Sequence, residues 1–152
     1  MNTENWLLRI KVLYLKMEEN HSVKIEALEV LNNNVPASVF KQIHSNQDQE
    51  AFAYWLDSCF KLHYYYNSKQ NYSLSLDYLQ LAYSKLQAMV SLYHHSPDLK
   101  RWILKKLDQL IVCMLEYCQQ SNHNNLCQQS TDLINHHVIF MKSLNNQNLY
   151  YQ

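Results

Sequence analysis

Residues 59–86 read CFKLHYYYNSKQNYSLSLDYLQLAYSKL, and this stretch decides the fold. Apolar and aromatic side chains recur at intervals of three and four residues on both sides of the segment NSKQN, residues 67–71. Such spacing places the side chains on one face of an α-helix. We therefore predict two helices, over about 47–68 and about 72–95, that pack against each other as an antiparallel pair.

The absence of glycine from all 152 residues extends this prediction to the whole chain. Without glycine the chain cannot form the glycine-rich loops that bind phosphate groups, and tight β-hairpin turns become unfavourable because they need positive φ. The chain has two prolines and many Leu, Lys, Gln and Glu residues, which favour helices. We expect asparagine, which is abundant, to replace glycine at helix C-termini.

Local start signals place two further long helices. Ser96-Pro97-Asp98 combines an N-cap, a first-turn proline and an acid near the positive helix end, which predicts a helix over about 97–120. The last long helix is predicted over about 126–144. The sequence therefore predicts an all-α fold, an antiparallel bundle of four long helices.

Shorter helices are expected at the N-terminus. They are one over about 4–19 capped by Thr3, one capped by Ser22 that ends near residues 32–34, and one over about 36–45 that begins at Pro36. We expect residues 1–45 to pack on the bundle of residues 46–145, so that residues 1–152 form a single all-helical domain.

Residues 59–86 also resemble a single helix pair of the tetratricopeptide repeat. The matching positions are Leu62, His63 and Tyr66 on the first helix, and Ser75, Leu79 and Ala82 on the second. His63 stands where the repeat has a small residue, and Cys59 stands where it has a large one. The resemblance implies a helical hairpin, and the packing of any two helices can produce the same spacing.

Tyrosines are concentrated around this predicted hairpin. Tyr64, Tyr65 and Tyr66 are consecutive, so they cannot all face one core at 100° per residue. Tyrosine has a rigid apolar ring and a polar tip, which suits protein interfaces, although it also fills the boundary between core and solvent. We predict that Tyr64, Tyr65, Tyr72 and Tyr78 form a partner-binding surface. The predicted function is therefore that of an adaptor, a chaperone-like protein or a regulatory subunit, which binds an unidentified protein partner.

The cysteines and histidines form a weak metal-binding pattern. Cys113, Cys118, His123 and Cys127 have the spacing C-x4-C-x4-H-x3-C, and these ligand types suit zinc. Five residues on one helix turn the first two thiols about 140° apart, so they diverge. We therefore expect the cysteines to be buried in the core. We expect His136 and His137 to lie at the surface or at a helix end. We expect the protein to bind neither a metal nor a cofactor.

No set of residues satisfies the geometry of a catalytic site. Cys59 and His63 lie one helical turn apart, but Asp57 does not share their face, so no third group orients the histidine. The helical HEPN ribonucleases resemble this chain in size and all-α character, and their catalytic motif is an arginine followed closely by a histidine. Neither Arg9 nor Arg101 is followed by a histidine within eight residues. We expect that the protein is not an enzyme.

Charge patterning supplies an alternative function. The chain has 13 basic and 13 acidic residues, so it lacks the basic excess typical of nucleic-acid-binding proteins. Its one basic cluster is Lys100, Arg101, Lys105 and Lys106, next to a tryptophan. This cluster predicts either a solvated helix face or contacts with phosphates in a helical subunit or regulator that binds nucleic acid.

Association and location complete the expectations. The aromatic surface also suits a symmetric homodimer, which is a third alternative. The four cysteines lie within apolar helical segments, and that pattern is typical of a reducing compartment. No targeting segment and no run of about 18 apolar residues is visible. We therefore expect a cytoplasmic protein without a membrane span.

Overall fold

A computed structural model describes residues 1–20, 25–41, 43, 45–92, 96–121 and 124–146. These residues form seven α-helices and no β-strand, which confirms the prediction of an all-α helical bundle. The helices are α1 (Thr3–Glu19), α2 (Ile25–Asn33), α3 (Ser38–Lys41), α4 (Asn46–Ser68), α5 (Tyr72–Val90), α6 (Pro97–Ser121) and α7 (Asn124–Asn146).

The chain folds into two compact units. The N-terminal unit comprises Met1–Ala82 and the C-terminal unit comprises Tyr83–Gln152, so the division falls within α5. The sequence predicted a single domain in which residues 1–45 pack on a bundle of residues 46–145, and the single domain stays a prediction. Because α2 and α3 pack on α4, the N-terminal helices share one core with the first half of the predicted bundle.

In the N-terminal unit, α4 is the helix on which α1, α2 and α3 pack. Trp6 and Trp55 are buried at its centre, and the indole nitrogen of Trp6 donates a hydrogen bond of 2.7 Å to the carbonyl of Leu31. The ring of Phe40, from α3, meets the ring of Trp55 edge to face with centroids 4.7 Å apart. Aromatic packing of this kind adds about 1 kcal/mol to the gain from burial.

The N-termini of α1 and α4 are capped by side chains. Asn2, not the predicted Thr3, caps α1, because its side chain accepts a hydrogen bond of 2.8 Å from the backbone of Asn5. The Thr3 hydroxyl instead contacts the Ser38 hydroxyl at 2.8 Å. Ser45 caps α4 and forms a capping box with Asp48, in which each side chain bonds the other residue's backbone nitrogen.

The helix predicted over 36–45 is only four residues long. Its first bonds run from Val39 N to Pro36 O and from Phe40 N to Ala37 O, which is the tight three-residue spacing of a 3₁₀ turn. Val39 and Phe40 are buried. The predicted cap Ser22 lies outside the described residues.

The turn between α4 and α5 uses neither glycine nor asparagine in the left-handed position. Gln70 has φ 61° and follows the C-cap Lys69. Gln70 N donates to Asn67 O at 3.0 Å, and Asn71 N donates to Tyr66 O at 2.9 Å. This pair of hydrogen bonds is the pattern of a Schellman motif. The expectation that asparagine replaces glycine therefore fails here, although Asn20 does cap α1 in an extended conformation.

The C-terminal unit contains the end of α5 together with α6 and α7, which pack against each other. The predicted start of α6 is confirmed, since the Ser96 hydroxyl accepts a hydrogen bond of 3.2 Å from Leu99 N. Helix α5 ends at Val90 rather than near 95, and residues 93–95 lie outside the description. The buried core of this unit includes Leu86, Met89, Ile103, Leu104, Leu107, Leu110 and Met114.

Candidate protein-binding surface

An exposed apolar surface of the N-terminal unit lies between α1 and α2. Leu8 (57%), Val12 (49%) and Leu15 (57%) are exposed on α1, and Val30 (59%) is exposed on α2. Leu8, Val12 and Leu15 are four and three residues apart, so they form one stripe along the helix. A stripe of large apolar side chains in water is uncommon and marks contact sites more often than isolated exposed residues do.

Beside this stripe lies an open cavity of about 540 Å³. We call it the α1–α2 groove and define it by its lining residues: Leu8, Arg9, Val12, Leu13, Lys16, Ala27, Val30 and Leu31. Six of these side chains are apolar and two are cationic. None of the described lining residues carries a carboxylate, so the groove combines apolar side chains with positive charge.

The groove exists because α1 is apolar on two sides. Trp6, Ile10 and Leu13 are buried and hold α1 against the core of its unit. Leu8 and Val12 are each offset by two residues from Ile10, which turns them about 200° away from that face. The second series, at positions 8, 12 and 15, is the signal that could have revealed the groove.

The cations of α1 differ in their partners. Lys11 forms an ion pair with Glu50 on α4, and this hydrogen bond raises the pKa of Lys11. Lys61, on α4, lies 5.3 Å from the centroid of the Tyr14 ring, whose hydroxyl donates a hydrogen bond of 2.7 Å to Asp57. Arg9 and Lys16 form no ion pair with any residue that the structure describes.

The predicted tyrosine surface is only partly present. Tyr64 is 64% exposed, and Tyr65 and Tyr72 are partly exposed. The ammonium group of Lys69 lies 5.7 Å from the centroid of the Tyr65 ring. Tyr64, Tyr65 and Tyr72 are therefore all at least partly exposed to solvent, and their role in binding a partner stays a prediction.

Tyr78 is buried, with 6% of its surface exposed, so its assignment to a contact surface is wrong. Its ring stacks on that of Tyr66 with centroids 5.9 Å apart and planes 4° apart. The Tyr66 hydroxyl donates a hydrogen bond to the Glu29 carboxylate on α2. Burial and this bond raise the pKa of Tyr66 to about 12, and burial with the nearby charge of Glu29 raises the pKa of Tyr78 as well. Tyr78 thus helps to fix α2 against the hairpin.

The basic cluster is divided between different contacts on α6. Arg101 is paired with Asp98, three residues earlier on the helix. Lys106 lies over the ring of Trp102 at 5.4 Å, and Trp102 is 40% exposed. Lys105 is exposed and Lys100 is partly exposed. Part of the cluster's positive charge is therefore already balanced or stacked within α6.

Cys59 and His63 are buried in the N-terminal unit and have separate partners. The Asn32 amide nitrogen donates to Ser58 Oγ at 2.7 Å and contacts Cys59 Sγ at 3.3 Å. Burial raises the pKa of Cys59 to about 12, so its thiol stays protonated at neutral pH. His63 Nδ1 lies 3.0 Å from the carbonyl of Ser75, and the Ser75 hydroxyl donates to the carbonyl of His63 at 2.7 Å. Ser75 therefore packs directly against His63, and both occupy positions matched to the tetratricopeptide pattern.

The thiols of Cys113 and Cys118 both belong to α6. Cys113 is partly buried, which raises the pKa of its thiol, and Cys118 is buried. His123 and the side chain of Cys127 lie outside the description. Among the residues that the structure does describe, no three His, Cys, Asp or Glu side chains are grouped to hold a metal ion.

A hydrogen-bonded chain of three side chains crosses the C-terminal unit. His137 Nε2 lies 2.9 Å from Asp108 Oδ1, so it carries the proton and donates to that carboxylate. In the neutral imidazole, Nδ1 then accepts the bond of 2.6 Å from the Tyr83 hydroxyl. His137 is buried, which corrects its expected position at the surface or a helix end, while His136 is exposed. Burial raises the pKa of Tyr83 to about 12.

Comparisons with known proteins give no relative. The chain matches no protein-family model, no curated protein and no solved structure. The likeness of residues 59–86 to a tetratricopeptide-like helix pair therefore stays a prediction. None of the helices, over the residues the structure describes, combines the length and apolar character required to cross a lipid bilayer.

Proposed function

We propose that this protein is a non-enzymatic interaction module that binds an apolar face of a partner helix in the α1–α2 groove. The observation that carries the proposal is the exposed stripe of Leu8, Val12 and Leu15 beside Val30. Grooves of this kind accept amphipathic helices whose anchoring residues recur at intervals of three and four.

The expected affinity follows from the apolar side chains that would become buried. Each of the four is about half exposed, and full burial of such a side chain gains roughly 1.5–3 kcal/mol. Half of that gain for four side chains is about 3–6 kcal/mol, to which the partner's own apolar residues add. The loss of translational and rotational freedom on association offsets part of this gain in free energy. The net binding free energy is then typical of regulatory or adaptor contacts of modest affinity.

The exposed tyrosines supply a second contact in the same class of function. Tyr64, Tyr65 and Tyr72 flank the turn between α4 and α5, where an additional segment of the partner is proposed to pack. A cytoplasmic, reducing compartment belongs to this proposal. It is supported by the free thiols of Cys59, Cys113 and Cys118 in the described part of the chain.

The alternative of nucleic-acid binding keeps one supporting observation. Trp102 is exposed beside Lys105 and Lys106, and this combination suits base stacking next to phosphate contacts. A steep loss of binding with salt, abolished in a Lys105→Gln/Lys106→Gln variant, would support this alternative.

The direct test of the proposal is selection of helical peptides from a displayed library on the immobilised full-length protein. We expect binders whose affinity falls at least tenfold for the Leu8→Gln/Val12→Gln variant. The matched control is Val138→Gln/Ile139→Gln, which removes two exposed apolar side chains from α7. Binders that lose no affinity in the first variant, or the same amount in both, would contradict the proposal.

A further inference from the structure

We infer that the partner helix carries acidic side chains along one edge of its apolar face, and that Arg9 and Lys16 pair with them. This inference rests on the proposed function, since it names the chemistry of the helix that the α1–α2 groove accepts. The described lining residues of the groove include two cations and no carboxylate, so their charge favours an anionic edge on the occupant.

The spacing of the two cations sets the spacing of the acids. Arg9 and Lys16 are seven residues apart, which is about two turns or roughly 10.5 Å along the axis of α1. A helix that lies along the groove presents residues i and i+7 at the same separation. The preferred partner therefore has Asp or Glu at two positions seven residues apart, next to a stripe of Leu, Ile, Val or Phe.

The charges of α1 are separated by side. Lys11, on the other side of the exposed stripe, is already paired with Glu50 and is not among the groove residues. Arg9 and Lys16 have no such pair among the described residues, so their charge remains to be matched. Both side chains are exposed, so they lose little hydration until a partner binds. Rim charges of this type mainly increase selectivity and the rate of association.

A second copy of the chain is a less favourable occupant. A symmetric contact places the same surface of both copies against each other. Two grooves facing each other would bring together four cations, Arg9 and Lys16 from each copy, without a carboxylate from either lining. Like charges placed opposite each other are destabilising, so charge favours a different, acidic partner.

The test uses a library of helical peptides with a fixed apolar stripe and random residues along both edges. The full-length chain is the bait. We expect selected peptides to be enriched in Asp or Glu at two edge positions seven residues apart. Replacing both acids by the corresponding amides in a synthetic binder should weaken binding at least fivefold. Raising the salt concentration from about 0.05 to about 0.5 M should weaken binding of the acidic peptide more than binding of its amide version, because salt screens exposed charges.

Charge reversal on the protein supplies the second arm. Arg9→Glu/Lys16→Glu should weaken the acidic binder at least tenfold and should strengthen a Lys-edged version of it. Lys100→Glu/Lys105→Glu makes the same change in net charge on α6 and should have no such effect. Thermal unfolding followed by circular dichroism checks that both variants fold.

The outcomes separate the two proposals. If no selected peptide depends on Leu8 and Val12, the proposed function is wrong. If peptides depend on these residues but show neither acidic enrichment nor sensitivity to the reversal at Arg9 and Lys16, only the present inference is overturned. Sedimentation that shows a dimer abolished by Leu8→Gln/Val12→Gln would identify a second copy as the occupant and would also overturn it.

Discussion

Gln70 shows how a chain without glycine terminates a long helix. Its φ of 61° lies in the left-handed region, which costs a residue with a Cβ atom roughly 1–2 kcal/mol. The hydrogen bonds of the Schellman motif and the packing of α4 and α5 offset that cost. The sequence contained no signal for this position, because glutamine has no preference for left-handed geometry. Asparagine, the residue expected at helix C-termini, comes one position later, at Asn71.

Replacing Gln70 by glycine should therefore stabilise the protein. We expect a gain of about 0.5–1 kcal/mol in the free energy of unfolding, since glycine relieves the strain but increases the entropy of the unfolded chain. Urea unfolding monitored by circular dichroism measures this gain. Gln70→Val should destabilise, because a β-branched side chain fits positive φ poorly. A destabilised Gln70→Gly variant would show that the turn is not strained.

His63 illustrates the same scale in the core. Burial lowers its pKa from 6.5, and the hydrogen bond to the Ser75 carbonyl acts in the opposite direction. Between the folded-state pKa and about 6.5 the unfolded chain binds a proton that the folded chain does not, so stability increases with pH in that window. The contribution is complete above about pH 6.5 and decreases as the pH falls through the window.

The pH dependence of unfolding tests this assignment. Between pH 7.5 and pH 5, the wild-type protein should lose more unfolding free energy than a His63→Gln variant, which lacks the titrating group. His136→Gln, at an exposed position, should follow the wild type. Urea unfolding of the three proteins at several pH values measures these free energies. Parallel curves for wild type and His63→Gln would mean that His63 does not titrate as described.

At the scale of elements, a capped helix start is set by residues within one turn of the end of that helix. The Ser45–Asp48 capping box and the Ser96 cap are local, which explains why the starts of α4 and α6 were close to their predicted positions. The predicted helix over 36–45 failed for a different reason. Val39 and Phe40 of this segment are buried, and the Phe40 ring contacts Trp55 of α4, which is a contact that the local sequence does not reveal.

Removal of the Ser45 cap should weaken α4 and the unit that packs on it. We expect Ser45→Ala to cost about 1 kcal/mol of unfolding free energy, because the Asp48 backbone nitrogen loses its acceptor. Ser84→Ala, at an exposed position inside α5, should leave stability within about 0.5 kcal/mol of the wild type. Equal effects of the two substitutions, measured by denaturant unfolding, would argue against the cap.

At the scale of the whole molecule, the net charge is zero but the charges are unevenly placed. The α1–α2 groove combines apolar side chains with two cations, so we expect it to bind amphipathic anions as well as the proposed helix. This property can be examined without any knowledge of the natural partner.

The anionic dye 8-anilinonaphthalene-1-sulfonate should bind the native protein at the groove. We expect Leu8→Gln/Val12→Gln to reduce native-state dye fluorescence by at least half, because it removes the apolar floor while the exposed positions leave stability nearly unchanged. Val138→Gln/Ile139→Gln is the matched control. Comparable losses in both variants, with unaltered unfolding midpoints, would show that the dye does not report the groove.

The sequence by itself determined the all-α fold and most helix starts, because helical hydrogen bonds, caps and apolar periodicity are properties of neighbouring residues. It also pointed to exposed tyrosines, and Tyr64 is exposed. Only the tertiary structure decided that Tyr78 is buried, that His137 joins Tyr83 to Asp108, and that Leu8 and Val12 face solvent. Each of these depends on residues distant in sequence, and a helix with apolar side chains on two faces does not specify which face another helix will cover.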